Sequence, residues 1–445
     1  MNTEDIRLSA YGTASSVPAP VNRMMAAFAA DFREGVDINL GVGYVNENTI
    51  PRRAILEALP EVLGHPEKYR FALNYGGPHG SPNLIESIRR YHVENRLGRL
   101  TADVLARREI IIGGNGASSL LEGIADILEP GLVITADPVY YIYCHLLERK
   151  GFEVLAVPED RDGLEVVRLE AALARLGDRR RAIRCFYLVT ISNPTCTILS
   201  TERRRALVAL AEQLSRELGR KIPLFFDKAY EDLIHDPSAE KPLSPLLFDE
   251  QGLVYEIGTL SKILAPALRI GYLIGPDGPF LRAMVQKTSD AGFSAPLLTQ
   301  EIASYLLDHH VAEQVARVNR GYREKAVQVR RWMEEQLGEA LADCRGGQAG
   351  FYFYLTFDGI ETREGSPFFR FLTRTTGEES IDGPPGMRRP RVLYIPGEFC
   401  VHARGDLVAA GRRSLRLSYG FEETPRIGLA LELMKQAVAY ARHQA

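Results

Sequence analysis

The sequence reads Ile257-Gly-Thr-Leu-Ser-Lys-Ile-Leu-Ala-Pro-Ala-Leu-Arg-Ile-Gly271 between two short apolar runs. The hydroxyl side chains of Thr259 and Ser261 precede Lys262, and Arg269 follows it by seven residues. An arginine offers a planar fork to a phosphate, and hydroxyl groups can donate to the remaining oxygens. This spacing predicts a lysine that forms a Schiff base beside a phosphate-binding site.

Apolar runs alternate with amphipathic helical stretches from about residue 41 to residue 275. The predicted strands are Glu109–Ile112, Leu132–Ala136, Glu153–Val157, Cys185–Val189, Leu224–Phe226, Val254–Ile257 and Gly271–Ile274. The predicted helices between them include Ser118–Ile127, Tyr140–Lys150 and Thr201–Leu218. Such alternation is typical of right-handed crossover units, so we expect an α/β fold with a mostly parallel central sheet covered by helices. Sites in such sheets form where strands end in loops.

The pattern changes after Pro296. The predicted elements are the helices Leu298–Asp308 and Val311–Leu337, the strands Phe351–Phe357, Arg391–Ile395 and Ser414–Ser418, and a last helix around Arg426–Ala441. We read these elements as a smaller α+β domain. The predicted division is an N-terminal arm with part of the small domain (1–45), a large domain (46–297) and a small C-terminal domain (298–445). Glu361–Arg389 is predicted to be loop except for a short helix near Phe368–Thr373.

Further polar and aromatic groups follow the predicted strands. Asp227 ends an apolar strand, where a carboxylate can pair with a protonated pyridine nitrogen, although such an aspartate is more often a cap. Asn193 offers an amide to a ring hydroxyl, but Asn-Pro-Thr is also a common turn. The glycine-rich stretch Gly113–Glu122 follows a strand and opens a helix, a geometry that can hold a phosphate. Tyr140 is placed to lie on a ring face, with core packing as the alternative.

Composition and charge exclude several classes of function. The 445 residues include 54 Lys and Arg against 57 Asp and Glu, a net charge of −3, which provides no basic field for nucleic acid or an anionic membrane. The five cysteines form no C-x-x-C pair and no metal-ligand cluster with histidine, which favours a reducing cytoplasm and no metal site. No apolar run approaches the roughly 18 residues of a membrane span, and the N-terminus lacks a secretory signal. We therefore expect a cytoplasmic protein with small-molecule partners that binds neither nucleic acid nor membrane.

In order and spacing, these segments resemble the class I and II aminotransferases of the aspartate aminotransferase fold, which are fold type I pyridoxal-phosphate enzymes. The resemblance runs from about Asn39 to the last helix. The pattern Ser-Lys-x-Leu-Ala-Pro-x-Leu-Arg-x-Gly, here Ser261 to Gly271, resembles the branch of 2-aminoadipate and kynurenine aminotransferases and the catalytic domains of MocR-type regulators. It implies a pyridoxal 5'-phosphate (PLP) enzyme of amino acid metabolism or biosynthesis. Its reaction would move an amino group between an α-amino acid and a 2-oxo acid through a Lys262 aldimine.

The resemblance also implies roles for residues around the cofactor. Lys262 would form the aldimine and shuttle the proton, and Asp227 would hold the pyridinium. Asn193 and Tyr230 would hold the phenolic oxygen, and Tyr140 would stack on the ring. The implied phosphate ligands are Ala117, Ser118, Thr259, Ser261 and Arg269.

Three more residues gain a role from the resemblance. Tyr75 matches a tyrosine that reaches the neighbouring subunit's cofactor phosphate, which implies a homodimer. Arg416, in Ser414-Leu-Arg-Leu-Ser418, matches the arginine that binds the substrate α-carboxylate in bidentate fashion. Gly43 matches a glycine whose backbone closes over the substrate.

Three positions depart from the family pattern: Cys196 and Ala267 replace glycines, and Ala117 replaces a residue with a hydroxyl. None removes a catalytic group. The Cys196 change, or the Glu361–Arg389 segment, which is longer than the family pattern leads us to expect, leaves open a specialised substrate or another fold type I reaction on an α-amino acid, by a β-lyase, a cyclising synthase or a PLP oxidase. A third alternative is a regulator that keeps PLP without turnover. MocR-type regulators carry a DNA-binding region ahead of this domain, and 40 residues precede Gly41 here, so we favour the aminotransferase.

Overall fold

The computed structural model describes residues 6–444 of the chain. Its strands are β1 (Ile38–Asn39), β2 (Glu109–Ile112), β3 (Leu132–Asp137), β4 (Glu153–Asp160), β5 (Gly163–Leu164), β6 (Ile183–Val189), β7 (Leu224–Asp227), β8 (Val254–Thr259), β9 (Gly271–Gly275), β10 (Leu341–Gly346), β11 (Tyr352–Phe357), β12 (Val392–Leu393), β13 (Ile395–Pro396) and β14 (Ser414–Ser418). The first half of the helices comprises α1 (Ala10–Ser15), α2 (Pro20–Ala29), α3 (Arg52–Gly64), α4 (Pro82–Glu94), α5 (Ala102–Ala106), α6 (Gly116–Ile127), α7 (Tyr141–Arg149) and α8 (Val166–Leu176). The second half comprises α9 (Thr201–Leu218), α10 (Pro279–Gly292), α11 (Leu297–His309), α12 (Val311–Leu337), α13 (Pro367–Thr373), α14 (Glu379–Asp382), α15 (Val408–Gly411) and α16 (Thr424–His443).

An eight-stranded sheet has the order β2-β9-β8-β7-β6-β3-β4-β5. The strands β4, β3, β6, β7 and β8 pair in parallel, whereas β9 runs antiparallel to both β8 and β2. All residues of β7 and β8 are buried, because helices cover both faces of a parallel sheet. The predicted α/β class with a mostly parallel sheet is confirmed.

The smaller sheet is antiparallel, in the order β10-β11-β14-β13. The sequence predicted β11 and β14 but missed β10, whose residues are mostly half-buried and do not form an apolar run. The strands β1 and β12 pair in parallel, which brings the N-terminal segment beside the C-terminal part of the chain. This pairing supports the proposed division into domains, which remains a prediction, and residues 1–5 of the predicted arm lie outside the described residues.

Capping residues in the sequence define both ends of the helix α9. Ser200 caps its first turn by accepting a hydrogen bond from the backbone of Arg203, and Gly219 ends it in the left-handed conformation. In this helix Arg204 is buried and forms two hydrogen bonds, of 2.8 and 3.0 Å, to the carboxylate of Glu231. Burial opposes ionisation of Glu231, but the charges of Arg204 and Lys228 outweigh it and lower its pKa to about 2. This ion pair fixes the turn that follows β7.

We expect Arg204→Met to lower the free energy of unfolding by about 3–5 kcal/mol, because Glu231 would stay buried without its bidentate partner. The matched control is Arg180→Met, which removes an ion pair with Glu217 whose side chains are 41% and 40% exposed. The control substitution should lower the free energy of unfolding by less than about 1 kcal/mol. Urea unfolding of both variants measures the difference, and equal losses would show that the buried pair does not hold this turn.

Candidate active site

A cleft of about 460 Å³ opens where the central parallel strands end. Its volume falls in the range of roughly 300–1,000 Å³ that is typical of small-molecule sites. All predicted site residues except Tyr75 line it, namely Gly43, Ala117, Ser118, Tyr140, Asn193, Asp227, Tyr230, Thr259, Ser261, Lys262, Arg269 and Arg416. The fold thus brings together residues that lie up to 373 positions apart in the sequence.

One end of the cleft is built to receive an anion. The first turn of α6 begins at Gly116, and its free N–H groups favour negative charge. Arg269 is oriented beside it by donating to the side chain of Asn115 at 2.7 Å and to the Asn115 carbonyl at 3.0 Å. A Cβ atom on Gly271 would lie 2.1 Å from the backbone N of Ala117, so the glycine lets the strand and the helix start approach closely. The sequence did not predict the role of Asn115, because only the folded turn brings it to Arg269.

The hydroxyl groups predicted around Lys262 also lie at this end. The Oγ1 atom of Thr259 donates to the Ile270 carbonyl at 2.8 Å and lies 3.0 Å from the Oγ atom of Ser261. Ala117 lines the cleft, where its side chain has no hydroxyl to donate. Its backbone N–H remains in the first turn of α6, so the substitution removes one side-chain donor and keeps the helix-end geometry.

Asp227 lies at the last position of β7 and is 5% exposed. Burial raises the pKa of this carboxyl group, and the hydrogen bonds from Tyr187 and Ala229 and the charge of Lys262 act in the opposite direction. The Tyr187 hydroxyl donates to Oδ2 at 2.9 Å, and the Ala229 N–H donates to Oδ1 at 3.0 Å. Sequence reasoning missed Tyr187, since a tyrosine inside a predicted strand is usually a packing residue.

Lys262 donates through Nζ to the carbonyl of Gly43 at 3.0 Å. Its surroundings lower the pKa of the amino group to about 8, first by burial and then by the positive charges of Arg416 and Arg269, while Asp227 raises it. An ordinary lysine has a pKa of about 10.4, so a much larger fraction of Lys262 is uncharged near neutral pH. A neutral amine is the form that accepts a proton or attacks a carbonyl.

Arg416 is a buried cation at the centre of β14. It donates to the Asn193 side chain at 2.8 Å and to the Gly41 carbonyl at 2.6 Å, and its guanidinium lies 4.3 Å from the centre of the Tyr352 ring. The Nε atom has no hydrogen-bond partner among residues 6–444. A buried arginine with an unused donor is suited to binding a carboxylate.

Two tyrosines meet on the floor of the cleft. The hydroxyl oxygens of Tyr230 and Tyr352 are 2.8 Å apart. A Cβ atom at Gly43 would lie 2.8 Å from the Tyr352 hydroxyl oxygen, so a larger residue here would require Tyr352 to shift. Tyr352 is a further site residue that the sequence did not indicate, because it reads as one apolar position of β11.

Tyr75 does not reach the cleft of its own chain. Its side chain is 77% exposed, and its ring packs against Phe293 with centroids 5.5 Å apart. The structure therefore leaves the predicted contact with a neighbouring subunit untested.

Cys196 occupies the position where the family pattern has a glycine. Its φ angle is 53°, in the left-handed region that glycine adopts readily and other residues rarely adopt. The backbone at this position therefore has the left-handed conformation of a glycine although the residue is a cysteine. The side chain is buried, and burial raises the pKa of its thiol to about 12, so this cysteine is not a thiolate nucleophile.

A larger cleft of about 660 Å³ holds none of the predicted residues. Arg161 and Arg345, on its wall, are already paired with Asp343. Within residues 6–444 we find no group of three or more His, Cys, Asp or Glu side chains placed to hold a metal ion. No helix of this part of the chain is long and apolar enough to cross a membrane.

Comparison with known proteins identifies the family to which the chain belongs. The family model for aminotransferase class I and II matches residues 36–373. The chain is 25% identical over 393 residues to a 2-aminoadipate transaminase of Thermus thermophilus, covering 86% of this chain and 87% of that protein. It is 26% identical over 391 residues to an uncharacterised HTH-type transcriptional regulator of Bacillus subtilis, covering 86% of this chain and 70% of the regulator.

A second regulator of the same organism is 26% identical over 72% of this chain, and the match spans 61% of the regulator's length. Among solved structures, the multiple substrate aminotransferase of Thermococcus profundus superposes with a TM-score of 0.82 at 22% identity, covering 98% of both chains. This structural likeness shows the fold.

We expect the Lys262 amino group of the cofactor-free protein to titrate near pH 8. Acetylation of this residue should therefore rise as the pH increases through 8, because only the neutral amine reacts. Competitive acetylation followed by peptide mass spectrometry gives the midpoint. In Arg416→Gln the midpoint should move upward, since a neighbouring positive charge is lost. A wild-type midpoint above pH 10 would contradict the electrostatics described for this cleft.

Proposed function

The chain belongs to the aminotransferase class I and II family, and we propose that its reaction takes place in the cleft that holds Lys262, Asp227 and Arg416. It is a PLP-dependent aminotransferase that acts on amino acids. The donor amino acid loses its amino group and its Cα hydrogen and becomes a 2-oxo acid. The acceptor 2-oxo acid gains an amino group and a Cα hydrogen and gives up its carbonyl oxygen, so one oxygen passes in the opposite direction in the net exchange. The exchange needs no external oxidant. The observation that carries the proposal is the convergence of a low-pKa lysine, a buried carboxylate and a buried arginine with a free donor.

The side chains around the cleft fit PLP group by group. The start of α6 and Arg269 offer donors to its phosphate, and Asp227 suits its ring nitrogen. Asn193 and Tyr230 suit its phenolic oxygen, while Tyr140 lies on the cleft wall where a ring can stack. The remaining proposed phosphate ligands are Ala117, Ser118, Thr259 and Ser261. When bound, PLP draws in the electrons that are released as a bond at the substrate Cα breaks.

Three residues of the chain have separate roles in the proposed reaction. Arg416 binds the substrate α-carboxylate through its guanidinium, which fixes the Cα atom in the cleft. Lys262, with a pKa of about 8, accepts the Cα proton at Nζ and delivers it to the carbon that takes up the amino group. Burial raises the pKa of Asp227, and the hydrogen bonds from Tyr187 and Ala229 oppose this rise by favouring the carboxylate, whose negative charge would favour a protonated ring nitrogen.

Lys262→Ala tests this assignment. In the wild-type holoenzyme, borohydride treatment and peptide mapping should find the mass of the reduced cofactor on Lys262. Conversion of an amino acid to its 2-oxo acid should fall by about 10²–10⁴-fold in the variant, which is the usual contribution of a general acid–base.

Lys221→Ala is the control, because this exposed lysine bonds only the Gly252 carbonyl. It should retain both the adduct on Lys262 and the activity. A Lys262→Ala protein that is as active as the control would exclude Lys262 as the reacting lysine.

We also propose that the protein is a cytoplasmic homodimer that serves amino acid biosynthesis, with Tyr75 completing the phosphate site of the neighbouring subunit. Exposed apolar side chains around Tyr75 support this proposal: Phe71 is 64% exposed, Leu73 76% and Phe293 63%. Surface clusters of this kind mark contacts between proteins. The backbone N–H of Gly76 donates to the Ser294 hydroxyl at 3.1 Å, which joins the loop that carries Tyr75 to the loop that carries Phe293.

Subunit mixing tests the role of Tyr75. Lys262→Ala and Tyr75→Phe chains should each be impaired as homodimers. After exchange, a mixed dimer contains one site with a native lysine and a native partner tyrosine, so part of the activity should return. Native mass spectrometry verifies the exchange. Activity that stays at the sum of the two homodimers would mean that each site is complete within one chain.

A further inference from the structure

In the described part of the chain, the proposed function assigns each charged side chain on the cleft wall to the cofactor, to the α-carboxylate or to proton transfer. These groups are Asp227, Lys262, Arg269 and Arg416. We propose that the substrates are amino acids with uncharged, apolar side chains and the matching 2-oxo acids, and that dicarboxylic amino acids bind poorly. This inference rests on the proposed function, because it assigns Arg416 to the α-carboxylate and Arg269 to the cofactor phosphate.

The part of the wall that remains is apolar. It combines four separate segments of the chain: α2, the loop after β1, the start of α7, and β13. Their side chains are Val21, Met25, Val42, Tyr44, Ile142 and Ile395. Asn22 of α2 is the uncharged polar side chain among them. No single predicted element supplied this surface, so it became visible only in the folded chain.

Two of these side chains are unusually exposed. Tyr44 is 63% exposed and Ile142 is 45% exposed, although both are large and apolar. Tyr44 is steadied by an edge-to-face contact with Phe421, with ring centroids 6.1 Å apart. An apolar substrate side chain would cover them and remove apolar surface from water, which favours binding.

Among residues 6–444 of one chain, this region of the cleft wall has no cation that could receive a second carboxylate. The one arginine of α2, Arg23, is 64% exposed, does not line the cleft, and pairs with Glu364 at 3.2 Å. Removing a carboxylate from water without a partner is costly, and the cost is larger for a charge than for a neutral polar group. The cleft therefore discriminates against glutamate-like side chains by desolvation. Both half-reactions use the same wall, so the preference applies to donor and acceptor.

Equilibrium binding to the holoenzyme tests the preference without requiring turnover. α-Methylleucine and α-methylglutamate both lack the hydrogen that is removed in the reaction, and calorimetry gives a dissociation constant for each. We expect the leucine analogue to bind about 100-fold more tightly, which corresponds to about 2.7 kcal/mol. Turnover of leucine and glutamate with pyruvate as acceptor should show the same order.

Two variants that each add an arginine to α2, one on the cleft wall and one away from it, test the role of charge. Met25→Arg places a guanidinium on the apolar wall and should tighten α-methylglutamate at least about tenfold while weakening α-methylleucine. Ala27→Arg adds the same charge to the same helix at an exposed position that does not line the cleft, and should change neither constant.

The outcomes separate this inference from the proposed function. Transamination of amino acids together with equal or tighter binding of α-methylglutamate by the wild-type protein would overturn the inference and leave the function standing. An equal effect of both arginine variants would overturn it as well, since the wall around Met25 would then not contact the substrate side chain. Failure of every amino acid to be converted would overturn the proposed function and this inference with it.

Discussion

The site depends on one buried acidic group, the carboxyl group of Asp227 at the end of β7. Its burial favours the neutral acid, and the protein opposes this with two hydrogen bonds, from the Tyr187 hydroxyl and the Ala229 N–H. A carboxylate can keep a ring nitrogen protonated only while it is ionised itself. The sheet makes this possible, because β6 and β7 lie side by side in parallel and bring Tyr187 next to Asp227.

The same low-polarity surroundings act on Lys262 in the opposite sense. Burial and the nearby arginines weaken the ammonium form, and the lone negative charge of Asp227 only partly restores it. The cleft thus lowers the pKa of Lys262 towards the neutral amine, while two hydrogen bonds favour the carboxylate form of Asp227 against the effect of burial. Arg416 is central to this balance, since it lowers the pKa of Lys262 and still has an unused donor at Nε. Binding of a carboxylate at Arg416 would reduce its effective positive charge and thereby raise the basicity of Lys262 when substrate is present.

Two residues of the site other than glycine have backbone conformations in the left-handed region. Cys196 holds the left-handed conformation of the turn beside Asn193 without being a glycine, and Arg269 has a positive φ angle of 55°. Both cost conformational energy that the surrounding structure must supply. In contrast, Gly43 and Gly271 have no room for a side chain, since Tyr352 and the start of α6 fill the space that a Cβ would need. Contact distance, rather than the φ angle, therefore favours glycine at these two positions, most strongly at Gly271, where the neighbouring atoms belong to the backbone.

Local periodicity in the sequence determined the α/β class, the strands of the central sheet and helices such as α9 and α12, because period and capping residues are properties of short segments. Motif order also determined which residues would line the cleft. Only the tertiary structure decided what those residues do to one another. The donor from Tyr187 to Asp227, the orientation of Arg269 by Asn115, the pairing of Tyr230 with Tyr352 and the apolar wall that includes Met25 are contacts between segments far apart in the sequence. Single-sequence patterns carry no distance between such segments, so the electrostatics of the site and the character of its side-chain wall follow from packing alone.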